Sequence, residues 1–152
     1  MKWNYALALL WIFTITSAHA IEWEVIGNTS MVPVHRGKFE ADLKKSAGEL
    51  TVQILTTHQI PFVGNEAGIN SILNTPTGDK AIVIVSNDTM RVYGWCFEVD
   101  GVQPDVMPDK YFIPAQNSKL SWFYAFSLYE KGEWKTYCTP AHTKPRGDSQ
   151  PD

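Results

Sequence analysis

The sequence predicts an α+β domain, in which a mostly antiparallel sheet packs against one short helix and is closed by one disulfide. Three observations lead to this class. Several short segments alternate apolar and polar side chains, as strands with one buried face do. The segment 49–59 instead has apolar residues near helical spacing. The only two cysteines, Cys96 and Cys138, each lie in an alternating segment that is rich in aromatic residues.

The first half of the domain is predicted to contain two strands, the helix and a long ordered loop, at 21–26, 38–45, 49–59 and 62–78. Trp23 and Val25 lie on one face of the first strand. Pro61 ends the helix, because a residue that precedes proline disfavours helical angles. The segment 62–78 is rich in Gly, Asn, Thr and Pro, which favours a loop. Ile69 and Ile72 are expected to hold this loop against the core.

The second half is predicted to contain five strands, at 81–85, 90–99, 110–113, 120–129 and 134–139. Asp100 and Gly101 form a strong turn signal after the second of these. The strand 120–129 has apolar residues on both faces, which predicts a place in the middle of the sheet. The turn at 130–133 leads into the last strand, and this hairpin brings Cys138 back toward Cys96.

The first 20 residues have the pattern of a secretory signal peptide. Lys2 is the only charged residue there, an apolar run follows at 5–15, and Ala18 and Ala20 fit a small-x-small cleavage site. The apolar run is shorter than the roughly 20 residues that a membrane-spanning helix needs. We therefore predict an exported protein, periplasmic or secreted, with no transmembrane segment after cleavage.

Export makes a disulfide between Cys96 and Cys138 the expected state, because an oxidising compartment lets cysteines pair; two buried free thiols are the alternative. The predicted organisation is one globular domain at 21–140 and a flexible tail at 141–152. One of the 13 Lys and Arg residues lies in the leader, so the mature chain carries 12 against 16 Asp and Glu. With an acidic balance and no basic cluster, nucleic acid is not an expected partner.

Four sequence motifs suggest a family, namely 48–52 (Gly-Glu-Leu-Thr-Val), 60–64 (Ile-Pro-Phe-Val-Gly), 68–72 (Gly-Ile-Asn-Ser-Ile) and 94–101 (Gly-Trp-Cys-Phe-Glu-Val-Asp-Gly). Together they resemble the transcobalamin-like C-terminal domain family over about 50–140. The resemblance implies a β-grasp fold, with a sheet wrapped around one helix. The best-known relatives help to enclose a corrinoid together with an α-helical domain, which this chain has no room for. A corrinoid-like ligand is thus implied by the resemblance alone, and no other cofactor is predicted.

Catalytic chemistry has two candidate sets of residues. Cys138 and His142 lie four residues apart, and a Cys–His pair can generate a thiolate nucleophile. Asp105 and Asp109 are loop carboxylates that acid–base catalysis could use. These sets support an alternative function as an exported hydrolase or thiol enzyme. The histidines show no zinc-ligand spacing, so no metal site is predicted. We expect no catalytic residues, because the disulfide and the proline-flanked loops already explain both sets.

The aromatic content is the strongest indication of function, although most of these rings are expected to fill the core. Large aromatic residues often line ligand pockets and anchor interfaces. The Gly- and Asn-rich part of the predicted loop, 65–77, is the second indication, because long loops often carry function on a rigid scaffold. The predicted function is a non-catalytic binding module for a small organic ligand or a protein partner. The candidate ligand-binding residues are Asn65, Asn70, Asn74, Trp95, Tyr124 and Trp134.

Overall fold

The structure, a computed structural model, describes residues 20–143. It has the predicted α+β class, with a curled, mostly-strand sheet, one α-helix and one disulfide. Helix α1 spans Ala47–Thr57. Strands β1 to β8 span, in order, Ala20–Ile26, Pro33–Glu40, Phe62–Asn65, Gly68–Ile72, Ile82–Ser86, Thr89–Val99, Lys119–Glu130 and Glu133–Pro140.

The main sheet has the strand order β2-β1-β7-β6-β5, and β3 and β4 form a separate hairpin. Strand β1 runs parallel to the first half of β7, whereas the other pairs are antiparallel. Strand β8 pairs with the second half of β7, on the edge opposite to β6. The central position predicted for 120–129 is confirmed, and its two apolar faces account for it. Trp122 and Tyr124 lie in the main core, while Phe123 and Ala125 are buried on the other face.

Helix α1 begins two residues before its predicted start because Ser46 caps it. The Ser46 hydroxyl accepts a hydrogen bond from the Glu49 amide, and the Glu49 carboxylate accepts one from the Ser46 amide. This reciprocal capping box satisfies two amide groups that a helix end otherwise leaves unpaired. Leu50, Ile54 and Leu55 are buried and form the helix side of the core.

The predicted disulfide is present, and the Cα atoms of Cys96 and Cys138 lie 5.9 Å apart. Cys96 is on β6 and Cys138 is on β8, and these two strands flank β7 on opposite edges. The bond therefore crosses one face of the central strand and ties the last strand of the sheet to β6.

The strand predicted at 38–45 is wrong in its boundaries, because β2 spans Pro33–Glu40. Its end is set by a local turn around Asp42, which the alternation of Phe39, Ala41 and Leu43 conceals. The Asp42 carbonyl accepts a hydrogen bond from the Lys45 amide, and the Asp42 carboxylate accepts one from the Lys44 amide. The chain thus leaves the sheet before the helix begins.

The loop predicted at 62–78 is also wrong in part, because β3 and β4 form a hairpin there. The Asn65 side chain accepts a hydrogen bond from the Ala67 amide, 2.9 Å away, and so closes the turn between the strands. Ile69 and Ile72 are buried, as predicted. The strand predicted at 81–85 lies one residue later, at Ile82–Ser86.

No strand forms at 110–113, where one had been expected. Pro108–Lys110 is a turn of 3₁₀ helix, because proline sets the angles of its first residue. Phe112 then makes only an isolated bridge with Ser46. This segment closes over the start of α1, and the Tyr111 carbonyl accepts a hydrogen bond from the Ala47 amide.

The two chain ends fall largely outside the described part of the structure. The predicted signal peptide lies there except for Ala20, the first residue of β1. Of the tail predicted at 141–152, Ala141–Thr143 forms a 3₁₀ turn with Ala141 buried, so these three residues belong to the domain. Residues 144–152 lie outside the described range. Between residues 20 and 143, no helix has the length and apolar character needed to cross a bilayer.

Candidate functional site

A groove of about 730 Å³ lies between the β3–β4 hairpin and strand β6, and we call it the β4–β6 groove. It exists because β6 continues past the end of β5, whose first residue, Ile82, pairs with Val92. Within residues 20–143, the edge of β6 from Gly94 onward has no strand partner except the bridge between Val99 and Val102. The groove runs along β6 from Val92 to Trp95 and includes the first part of this uncovered edge, Gly94 and Trp95.

The walls of the β4–β6 groove differ in chemistry. Strand β4 contributes Ile69, which is buried, and Asn70, whose side chain is exposed. The loop after β4 contributes the polar segment 77–79, and the sheet contributes Ile82 and Val92. The groove therefore combines apolar side chains with an amide and with the backbone of a strand edge.

Trp95 is held in place by a hydrogen-bond network with the loop after β4. Its indole Nε1 donates to the Thr75 hydroxyl over 2.7 Å. The Ser71 hydroxyl donates to the Thr75 carbonyl, also over 2.7 Å, and lies 3.2 Å from the Thr75 hydroxyl. This network connects the β4 wall, the loop wall and β6, so the groove is formed by parts that are fixed to each other.

Below the groove lies a packed group of aromatic rings. The Tyr124 ring centroid is 5.4 Å from that of Trp95 and 5.8 Å from that of Tyr93. Tyr124 is buried, and no described residue partners its hydroxyl. Burial raises the pKa of Tyr124 to about 12, and the neighbouring Tyr93 acts in the same direction. The phenol therefore stays protonated well above neutral pH, as an uncharged group in the core beneath the groove.

The predicted ligand-binding residues do not form a single site. Asn70 and Trp95 both line the β4–β6 groove, whereas Tyr124 is 1% exposed and belongs to the core beneath it. Asn65 closes the β3–β4 turn. Asn74 is exposed in the following turn with a φ of 61°, which asparagine tolerates better than most residues.

Trp134 lies on β8, away from the groove, and its side chain is exposed. Its ring centroid is 5.2 Å from that of Tyr129 and 5.9 Å from that of Tyr137. Tyr137 is also exposed. These rings form a separate aromatic cluster at the β7–β8 hairpin.

Thr77 belongs to the candidate loop 65–77, whereas four other groove residues were not predicted, namely Gly78, Asp79, Ile82 and Val92. Their position follows from the different lengths of β5 and β6, which only the pairing register reveals. The sequence contains one signal for this part of the groove, because Pro76 and Gly78 indicate a sharp turn at the end of the predicted loop. Gly78 has a φ of 60°, which a side chain would disfavour.

The alternative thiol chemistry requires a free sulfur atom at Cys138. The Cys138 sulfur is bonded to Cys96, and there is no free cysteine among the described residues. Of the loop carboxylates, Asp105 is exposed and Asp109 lies 2.9 Å from its neighbour Lys110. Across residues 20–143, no three His, Cys, Asp or Glu side chains are grouped as metal ligands would be.

Comparisons with protein-family models, with curated proteins and with solved structures give no match. The resemblance to the transcobalamin-like C-terminal domain family therefore stays a prediction from sequence motifs. The geometry of the β4–β6 groove remains the basis for an inference about function.

Proposed function

We propose that this protein is an exported, non-catalytic binding module that holds a small organic ligand in the β4–β6 groove. The observation that carries the proposal is the uncovered edge of β6 at Gly94 and Trp95, which lines the same groove as Asn70. Ligand pockets typically measure about 300–1,000 Å³ and combine apolar walls with a few polar groups. The β4–β6 groove meets both criteria.

The ligand class follows from the groups that the groove presents. The Asn70 side chain can donate and accept hydrogen bonds, and alternate residues of an antiparallel strand edge point their backbone groups outward. Ile82 and Val92 offer apolar contact, and Asp79 is the only charged side chain in the lining. We infer a ligand that has an apolar body and amide-like groups and carries no negative charge.

We also propose that the domain is β-grasp-like and related to the transcobalamin-like C-terminal domain family. Support comes from the strand order, in which β1 of the first hairpin, β1–β2, pairs in parallel with β7 of the antiparallel pair β6–β7. Further support comes from the motifs at 48–52 and 94–101. A corrinoid is one candidate ligand on this basis, because it carries amide side chains on an apolar ring.

An extracellular or periplasmic location is part of the proposal. The leader-like pattern in the first 20 residues supports it, as does the disulfide between Cys96 and Cys138. Such bonds persist mainly in oxidising compartments.

The experiment is a titration of intrinsic tryptophan fluorescence with a corrinoid and a panel of neutral amide-containing compounds. Because Trp95 lines the groove, binding is expected to change the emission in a saturable way, and Trp95→Phe should remove most of the change. Asn70→Ala is expected to weaken binding about tenfold, equal to about 1.4 kcal/mol. The matched control is Asn117→Ala, since Asn117 is exposed and outside the groove. A flat response to every compound would overturn the proposal.

Recognition of a protein partner is a second candidate, favoured by the aromatic cluster at the β7–β8 hairpin. Trp134 is 41% exposed and Tyr137 is 68% exposed, and exposed aromatic residues often anchor interfaces. For a purified partner, Trp134→Ser with Tyr137→Ser should reduce affinity strongly while leaving the fluorescence titration with small ligands unchanged.

A further inference from the structure

Two carboxylates flank one serine on the face of the sheet that lies opposite to α1. In the register of the three central strands, Glu24 on β1 and Glu98 on β6 both stand opposite Ser121 on β7. Adjacent strands lie about 4.8 Å apart, so the two backbones are separated by about 10 Å across β7. Long glutamate side chains can approach the same space from both sides.

These two carboxylates have different surroundings. Glu24 Oε1 lies 2.9 Å from Lys119 Nζ and accepts a hydrogen bond from the Ser121 hydroxyl, also over 2.9 Å. Glu98 is half-buried, and no described residue donates a hydrogen bond to it. Burial raises the pKa of Glu98, while Lys119 lowers it and Glu24 raises it. One carboxylate is therefore satisfied within the protein, and the other lacks a donor.

Glu98 opens onto a cleft of about 540 Å³ that also contains Glu24 and Lys119, and we call it the outer cleft. Its remaining lining is largely apolar, with Phe123, Met31 and Pro140 among its residues. The segment that follows β8 forms one side of the outer cleft, through His142 and Thr143. His142 Nδ1 is buried there, and no residue in the range 20–143 bonds to it.

We propose that the outer cleft binds a primary ammonium ligand with a short aromatic or aliphatic body. The ammonium group would donate a hydrogen bond to the Glu98 carboxylate, which lines the outer cleft and receives no hydrogen bond from a described residue. Its body would lie on Phe123, whose ring can also attract a cation. An anion is disfavoured, because two carboxylates outnumber the one lysine in the outer cleft. This site is separate from the β4–β6 groove and does not depend on it.

The test is a titration of ¹⁵N-labelled full-length protein with 2-phenylethylammonium at pH 7, followed by NMR. For a ligand of this size, a Kd on the order of 1 mM is expected. Saturable shifts are expected at Glu98, Phe123 and His142. The neutral 2-phenylethanol and the anionic 3-phenylpropanoate are the comparison ligands, and each should bind at least tenfold more weakly. No saturable shift with the amine, or equal binding of the alcohol, would overturn the proposal.

Three variants separate a charge-recognition site from an apolar crevice. Glu98→Gln should weaken amine binding at least tenfold. Glu22→Gln is the control, because Glu22 is a glutamate on the neighbouring strand β1 that is exposed and outside the outer cleft, and this variant should bind as the parent protein does. Lys119→Met removes the competing cation and should tighten binding about threefold or more. An unchanged Kd in Glu98→Gln, or the absence of tighter binding in Lys119→Met, would contradict the proposal.

Discussion

Trp122 and Thr51 are joined by a buried hydrogen bond in which the indole Nε1 of Trp122 donates to the Thr51 hydroxyl over 2.9 Å. The same hydroxyl donates to the Ala47 carbonyl one turn earlier in the helix, over 2.6 Å. The bond links the central strand, β7, to helix α1. It explains why a β-branched residue with modest helix propensity stands at a buried position of the only α-helix in the described range.

Thr51→Val tests this link, because valine keeps the shape of threonine and removes the hydroxyl. The variant leaves the Trp122 N–H buried without an acceptor, and a loss of about 1–3 kcal/mol in the free energy of unfolding is expected. Thr56→Val is the matched control, since Thr56 is exposed on the same helix, and it should change stability by less than about 0.5 kcal/mol. Urea denaturation measures the free energy of unfolding of both variants, and equal losses would refute a stabilising role for the hydrogen bond between Trp122 and Thr51.

Gly48 has an unusual role at the start of α1. A Cβ atom at this position would overlap the carbonyl oxygen of Glu66, in the turn between β3 and β4. The absence of a side chain therefore allows the hairpin to pack closely on the helix. Since β4 forms one wall of the β4–β6 groove, this contact also positions Asn70.

Gly48→Ala is expected to destabilise the protein, although the same change normally stabilises a helix by about 1 kcal/mol. The overlap with Glu66 forces the backbone apart, and a net loss of about 1–3 kcal/mol is expected in thermal unfolding. Gly94→Ala is the matched control, because no atom lies within 4 Å of its Cβ position. It should be neutral or stabilising, and a stabilising Gly48→Ala would disprove the close contact.

The sequence predicted those features that depend on a short local pattern of residue types. The two apolar faces of 120–129 indicated its central place, and the two cysteines allowed one pairing. The β3–β4 hairpin was missed because glycine and asparagine are equally typical of long loops and of tight hairpins. Its turn depends on one side-chain bond at Asn65, which composition does not reveal.

The candidate sites were predicted less well than the fold, for a physical reason. Of the six proposed ligand-binding residues, Asn70 and Trp95 line the β4–β6 groove. This groove forms because β6 extends beyond its pairing with β5. The outer cleft was not expected at all. It depends on the register of three strands, which brings Glu24 beside Ser121 and Glu98 although they are distant in the chain. No local pattern contains that information.

Reduction of the Cys96–Cys138 bond is expected to lower the melting temperature sharply. The sequence separation is 42, and closing a loop of this length stabilises a folded domain by roughly 4 kcal/mol in the chain-entropy model. Differential scanning calorimetry with and without reductant measures the change. A double variant, Cys96→Ala with Cys138→Ala, should match the reduced protein and be insensitive to reductant. Equal melting curves for the reduced and oxidised protein would contradict this prediction.

Glu98→Gln is expected to raise stability at neutral pH while it weakens amine binding. Burial raises the pKa of Glu98 in the folded state, so the folded protein holds this proton more tightly than the unfolded chain does. The raised pKa of Glu98 adds to the free energy of unfolding in full below about pH 4, and this contribution is lost as the pH rises through the folded-state pKa. Glutamine carries no charge, so it avoids this loss.

The gain in the free energy of unfolding from Glu98→Gln at pH 7 should be below about 1 kcal/mol, because the Glu98 carboxyl is still partly solvated. It should shrink toward pH 4, where the glutamate is protonated in both states. Chemical denaturation at the two pH values measures it, with Glu22→Gln as the exposed control on β1. A carboxylate that lowers stability and supports binding is expected at a functional site. If Glu98→Gln instead lowers stability at pH 7, Glu98 is a structural partner in the sheet, and the outer cleft loses its recognition group.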